Sequence, residues 1–427
     1  MMRIYEYVPK ELDEVLTFRN AIFNHISREH WEAMNCTAVV AREGDRLVGF
    51  IPVQFREQCL DARVTIPVVY ENAVGVAEGM RGRGIGTQMI EEVARFISDR
   101  VDAMMVIRGG ERSDGYRFYR KTGHSDLMYA RSYSLAPEGR PLSKKGACWS
   151  SREITILDRE RWLALEPRLL TLYGQRYGRF GGGQRREPGY WNMILNSHVY
   201  REGEWRLITL WSKADGLRPG DEVRPLDGGH PAGHLVGYLV AADGLWAPSE
   251  DIYIYEVAGE DDDAVEQLIW YMSELGRGGC GEPTWCDSSG GRIVVPYVSL
   301  ANPVRSTLHR MGYTEEPSTP HVMARILRPD RIFERLAAGS DLLHGLCLTV
   351  VTPHRTLVVN DPPGSKYTVQ LETKESMLAR LFCRRLDLAA ALDMELIRWN
   401  GRDPGLRREL STVFESAEWV QWFTDFV

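Results

Sequence analysis

Glycines at 82, 84 and 86 alternate with Arg81, Arg83 and Ile85 in one short stretch, Arg81-Gly82-Arg83-Gly84-Ile85-Gly86-Thr87. Glycines let a backbone approach a ligand without interference from Cβ. If a helix opens at Gly84, its first N–H groups converge on one spot and its dipole favours negative charge there. Arg81 and Arg83 would add charge-assisted hydrogen bonds. Such a loop is a cradle for a pyrophosphate. It lacks the Gly-Lys-Ser/Thr of a Walker loop and the acidic residue that completes a dinucleotide fingerprint. Alone, the same residues also describe an ordinary Gly-rich turn with solvated arginines.

The loop needs a strand before it and a helix after it, and the pattern predicts both. Residues 64–76 form a long β-rich run, and 84–97 place Ile85, Met89, Ile90, Val93, Ala94 and Ile97 on one helical face. Upstream, 3–7 reads as a strand and 11–26 as a helix, with Leu12, Val15, Leu16, Phe18, Ile22 and Phe23 at helical spacing. A hairpin joins 37–41 to 47–55 around Glu43-Gly44-Asp45-Arg46. Downstream come a buried strand at 103–107, a short helix at 116–121 ended by Gly123, and a strand at 127–135. A Pro/Gly/Lys linker covers 136–151, after which the same order of elements starts again up to a strand at 322–327. That order predicts a duplicated fold with diverged sequences. Beyond residue 330 a third part holds β-type runs (346–351, 356–359, 368–371) and helical runs (376–382, 386–392, 406–414), and ends in an aromatic segment with Trp419, Trp422, Phe423 and Phe426.

The segment 81–86 resembles the Arg/Gln-x-x-Gly-x-Gly/Ala signature of the GNAT acetyltransferases. Phe118-Tyr119-Arg-Lys-Thr-Gly123-His124 resembles their second signature, an aromatic-Tyr pair before a glycine. The resemblance implies that Val74, Gly75 and Val76 splay from the neighbouring strand and pair with the pantetheine arm of acetyl-coenzyme A. It implies that Gly82, Arg83, Gly84, Ile85, Gly86 and Thr87, with Arg81 beside them, bind the pyrophosphate. Asp114 and Gly115 fall where the family contacts the far end of the cofactor. Tyr119 takes the place of the acid: direct attack by an amine on the thioester expels a thiolate, and a Tyr with a pKa of about 10 is protonated at neutral pH and can donate to it.

The layout of the whole chain resembles the enhanced intracellular survival (Eis) group of acetyltransferases. The expected fold is α+β: two tandem GNAT folds with mixed, centrally splayed sheets flanked by helices, followed by a C-terminal α/β sterol-carrier-like domain. The expected divisions are 1–140, 150–328 and 329–427, with 322–327 closing the second. In the second copy Glu260-Asp261-Asp262-Asp263 stands where the Gly-rich loop should be and would repel a pyrophosphate, and no Tyr stands in the place of Tyr119. That copy is expected to wall an acceptor cleft. In the Eis group the C-terminal carboxylate is the general base, which here belongs to Val427; burial or a relaying water must strengthen so weak a base.

Composition bounds these readings. The chain has 427 residues, 44% of them hydrophobic and 26% charged, with a formal net charge of −7. That balance speaks against a general nucleic-acid binder and suits a cationic small-molecule amine acceptor. No apolar stretch approaches the ~20 residues of a membrane span. The first eleven residues lack a signal peptide's apolar core. The seven cysteines are scattered without zinc spacing, so no metal and a reducing, cytoplasmic setting are expected. The Eis group assembles, which implies a homo-oligomer. His25, His30 and His124 read as surface or satisfied histidines, and 177–186, although rich in Gly and Arg, as a mobile loop rather than an anion site. A different class stays open: a coenzyme A sensor or a carrier of an apolar ligand, without turnover.

Overall fold

A computed structural model of the chain describes residues 2–23, 26–33, 36–71, 74–107, 113–136, 152–196, 205–213, 233–243, 249–275 and 291–426. These form two compact units, each drawn from separate stretches of chain. One comprises Met1–Tyr129, Phe180–Arg185 and Thr319–Trp419; the other Ala130–Arg179, Arg186–Ser318 and Val420–Val427.

The first unit begins with β1 (Met2–Glu6), α1 (Leu12–Asn20), α2 (Arg28–Ala33), β2 (Cys36–Glu43), β3 (Arg46–Cys59), β4 (Thr65–Glu71), β5 (Gly75–Val76), α3 (Ile85–Ile97), β6 (Ala103–Ile107) and α4 (Asp114–Lys121). β1 to β4 are antiparallel neighbours, and β6 lies parallel to β4. The apolar face of α3 packs on the sheet: Ile85, Met89, Ile90, Val93 and Ile97 share a core with Val39, Val48, Ile51, Val53 and Val69. α1 ends at Asn20, short of the expected 26. The Asn20 side chain donates to the Ile26 carbonyl and accepts from its N–H, and the Arg19 carbonyl takes the N–H groups of Ile22 and Phe23. Local hydrogen bonds thus replace the next helical turn. The run 64–76 is likewise broken into β4 and β5.

β7 (Ser125–Leu135) carries the chain into the second unit, which holds β8 (Arg152–Leu157), α5 (Arg159–Ala164), α6 (Glu166–Tyr177), α7 (Tyr190–Asn196), β9 (Trp205–Lys213), β10 (Gly233–Asp243), β11 (Ile252–Gly259), α8 (Asp262–Leu275), β12 (Ile293–Ser299), α9 (Val304–Arg310) and β13 (Thr314–Glu315). β8 to β11 are antiparallel neighbours and β12 lies parallel to β11. This repeats the order and sense of β1 to β4 and β6, with α8 standing where α3 stands. Residues 130–135 of β7 pair with β12, so the last strand of the first sequence segment serves the second unit.

The chain then returns to the first unit. β14 (Thr319–Ile326) pairs antiparallel with β6, from Val322 opposite Ile107 to Ile326 opposite Ala103. The strand expected at 322–327 therefore exists, but its neighbours in the sheet, β6 and β7, both belong to the first 135 residues rather than to the second copy. Side-chain pattern cannot reveal this, because a strand buried on both faces fits any central position. The rest comprises α10 (Pro329–Leu336), α11 (Asp341–His344), β15 (Leu346–Val351), β16 (Thr356–Asn360), β17 (Tyr367–Thr373), α12 (Glu375–Phe382), α13 (Leu388–Asp393), β18 (Ile397–Asn400) and α14 (Pro404–Val413). Its own sheet has the order β16-β15-β17-β18, with β15 and β17 parallel. Buried Leu346, Leu348, Val350, Val369 and Leu371 alternate along these two strands, and Phe382 and Phe333 pack against Phe414.

α10 is tied to the N-terminal fold by a buried carboxylate. The Asp102 side chain is fully buried, and its backbone carbonyl accepts from Leu327 and Arg328. Arg335 stands 3.4 Å and Arg331 3.9 Å from its oxygens. Burial pushes the carboxyl up to about 6 despite these arginines. A raised carboxyl is an excess of protons in the folded state, so this contribution to stability is full below the unfolded value near 4 and is lost as pH rises through about 6. Asp102→Asn should therefore gain stability on wild type between pH 4.5 and 7.5 in urea melts. A difference independent of pH would contradict this.

Candidate active site

A cleft of about 840 Å³ opens in the first unit, where the chain passes from β4 to α3. β4 pairs with β6 from Val68–Ala103 to Tyr70–Met105. Beyond that point the strands part. β5 pairs with β3 instead, Phe50 opposite Gly75 and Gly49 opposite Val76, and no described pairing joins β5 to β6. Backbone polar groups at such an opening are available to a ligand rather than to a sheet.

α3 starts at the floor of the cleft. Gly82 and Gly84 both sit at φ +77, which residues with a Cβ rarely adopt. The Gly84 carbonyl accepts from Gln88, and no side chain caps the helix. The leading N–H groups are thus left for a ligand, and the dipole favours an anion. Gly86 brings α3 close to α4: a Cβ there would lie 3.1 Å from the Phe118 ring. Arg81 leans back on the loop, its Nε donating to the Val76 carbonyl at 3.2 Å.

Val74, Gly75, Val76, Arg81, Gly82, Gly84, Ile85, Gly86, Thr87, Asp114, Gly115 and Tyr119 all line this cleft. Arg83 is exposed and is not among the lining residues. Val427, His25 and residues 137–151 of the linker lie outside the described residues. Six further lining residues carry no site role in the motif reading: Ile22, Phe23, Met80, Arg117, Phe118 and Lys121. The helical pattern had placed Ile22 and Phe23 on the core face of α1, and only the early end of that helix releases them. Arg81, Arg117 and Lys121 give the wall three cations against one carboxylate, Asp114, which Arg117 engages at 2.5 Å. That balance suits a polyanion.

Tyr119 is 1% exposed, on the last turn of α4. Its ring meets Phe118 and His124 edge-on, with centroids 5.2 and 5.1 Å away. His124 is a buried histidine, satisfied by Glu71 and Thr122 and not at the surface.

Residues 5–124 match the acetyltransferase (GNAT) family model. No curated protein matches the sequence. In fold, the chain is similar over 99% of both chains to a probable N-acyltransferase from Enterococcus faecalis V583 (13% identity, TM-score 0.69) and to a GCN5-related N-acetyltransferase from Kribbella flavida (16%, 0.62). It is also similar to Eis1 from Mycobacterium abscessus, over 98% of both chains (13%, 0.58).

At the place that corresponds to the glycine-rich loop, the second unit is built differently. β11 runs unbroken to Gly259, and the start of α8 is filled by its own acids. Asp261 Oδ1 accepts from the Ala264 N–H at 2.6 Å, and Asp261 and Asp262 pair with Arg152 and Arg176. The carboxylates take the position an anion would hold. Asp261 and Asp262 are thus paired at the helix start, while the whole run 260–263 stays exposed to solvent. Segment 177–186 is not a loose loop either. Gly182 N–H donates to the Cys59 carbonyl, Arg185 N–H to Glu57, and Gly181 N–H to Glu418. Gly182, at φ +90, lies under Trp419, where a Cβ would come within 2.9 Å of that side chain. Among the described residues no three His, Cys, Asp or Glu side chains are grouped to hold a metal, and no helix is long and apolar enough to cross a membrane.

Proposed function

We propose that the chain is an N-acetyltransferase that moves the acetyl group of acetyl-coenzyme A to an amine by direct attack in a ternary complex. One observation carries this reading: a single cleft brings together an open strand edge, an uncapped glycine-rich helix start, a cationic wall and a buried tyrosine. In this reading the N–H groups of residues 82–87 bind the pyrophosphate, Val74, Gly75 and Val76 pair with the pantetheine arm, and Asp114 and Gly115 meet the far end. Arg83, on the solvent side, acts by charge alone. The amine nitrogen attacks the thioester carbonyl, the C–S bond breaks, and Tyr119 gives its proton to the departing thiolate. The ammonium proton leaves to the α-carboxylate of Val427 or to a water. Trp419, Trp422 and Asp425, which precede Val427 in sequence, are buried, and that supports this role.

The finer reading is an Eis-type, cytoplasmic homo-oligomer with the three-part division 1–140, 150–328 and 329–427. The repeated strand order of the two units and the separate β15–β18 sheet support the division, with the last part as the sterol-carrier-like domain. The net charge of −7 favours a cationic acceptor. The test is free-thiol release from acetyl-coenzyme A across a panel of polyamines, aminoglycosides and simple amines. Binding of coenzyme A without thiol release from any amine would replace this reading with the sensor. Extending the chain by one glycine should lower kcat/KM; an unchanged value removes Val427 from the mechanism.

A further inference from the structure

Glu71 is the last residue of β4, where the sheet opens, and His124 follows the glycine that ends α4. Both side chains are 0% exposed, and His124 Nε2 lies 3.0 Å from Glu71 Oε1. The other ring nitrogen, Nδ1, lies 3.2 Å from Thr122 Oγ1. That hydroxyl also lies 3.1 Å from the Tyr119 carbonyl, which accepts the His124 N–H at 3.0 Å. Thr122 and His124 thus both end on Tyr119: its carbonyl accepts from the Thr122 N–H and hydroxyl and the His124 N–H, and the imidazole meets its ring edge-on, while Glu71 reaches it through His124.

Glu91 and Arg325 pair with each other beside this chain of contacts, Arg325 also donating to the Thr122 carbonyl.

We propose that Glu71, His124 and Thr122 are positioning residues for Tyr119: the chain ties the last turn of α4 to the end of β4 and so holds the tyrosine at the opening of the sheet. The proposal rests on the acetyl-transfer reading for its kinetic consequence and on hydrogen bonding alone for its spectroscopic one. A misplaced acid costs on the order of a hundredfold in rate. Glu71→Ala and His124→Phe should lower kcat about tenfold to a hundredfold, with KM for acetyl-coenzyme A changed less than about twofold. Glu71→Gln should recover most of that loss, because its amide keeps a hydrogen bond to Nε2. In ¹⁵N spectra Thr122→Val should shift the His124 Nδ1 resonance and Glu71→Ala the Nε2 resonance. Wild-type kcat in both disrupting variants, a Glu71→Gln enzyme as slow as Glu71→Ala, or His124 resonances unmoved by these changes would each overturn the proposal. Should Glu71→Ala fail to fold, His124→Phe and Glu71→Gln still decide it. If wild type turns over no amine, the acetyl-transfer reading falls and the ¹⁵N result alone judges the chain.

Discussion

Tyr119→Phe is expected to lower kcat by about a hundredfold to ten-thousandfold, the range of a lost general acid, while leaving the affinity for coenzyme A within about twofold. The change removes one oxygen from a side chain that is 1% exposed and keeps the ring against Phe118 and His124. Packing therefore changes little, and the rate effect isolates proton donation. A hundredfold corresponds to about 2.7 kcal/mol of transition-state stabilisation. The check is steady-state kinetics beside a direct binding measurement with coenzyme A. A variant with wild-type kcat removes the acid role, and one that loses coenzyme affinity to the same degree as kcat reassigns Tyr119 to binding. A substrate amine with an activated thioester, whose leaving thiolate needs no proton, should suffer much less.

The second large effect concerns stability. Arg186 lies within the second unit with its side chain 3% exposed, donating to both oxygens of Glu256 at 2.5 and 2.8 Å and to Asp425 at 3.0 Å. Its guanidinium stacks on Tyr173, 3.3 Å from the ring centre, and Tyr238 and Thr424 donate to Glu256. Arg186→Met should cost about 3–5 kcal/mol, because it leaves two carboxylates buried without a cation. Burial already raises Asp425, with Arg186 opposing it. Without Arg186 the Asp425 carboxyl should rise further, so the deficit should be larger at pH 8 than at pH 5, where its protonation relieves the charge. Urea midpoints at the two pH values check this. Adding Glu256→Gln and Asp425→Asn to Arg186→Met should restore much of the loss. A loss equal at both pH values, or no recovery in the triple variant, would assign the effect to packing and not to charge.

These two residues differ in how far sequence alone reaches them. Tyr119 sits in a motif whose spacing is local. Glycines at 82, 84 and 86 can be read because backbone conformation and helix starts are properties of a few consecutive residues. The same holds for α3, whose apolar face follows from a 3.6-residue period, and for the repeated order of strands and helices. Arg186 stood in an ambiguous Gly/Arg stretch, and nothing nearby in sequence announces Glu256, 70 residues on, or Asp425, 239 residues on. Ion pairing is set by distance in space, which the chain reveals only after folding.

The sequence by itself located the glycine-rich loop, its flanking strand and helix and the acidic run at the corresponding place of the second half, and the family resemblance added the candidate acid. Each depends on residue type within about a dozen positions. The tertiary structure alone decided that α1 stops early enough to put Ile22 and Phe23 into the cleft, that β14 joins β6, and that Glu71 reaches His124. It also decided that the acids at 261 and 262 cap and pair within their own unit. Strand partners and buried polar pairs are chosen by which surfaces and charges must leave water together, and that competition is global.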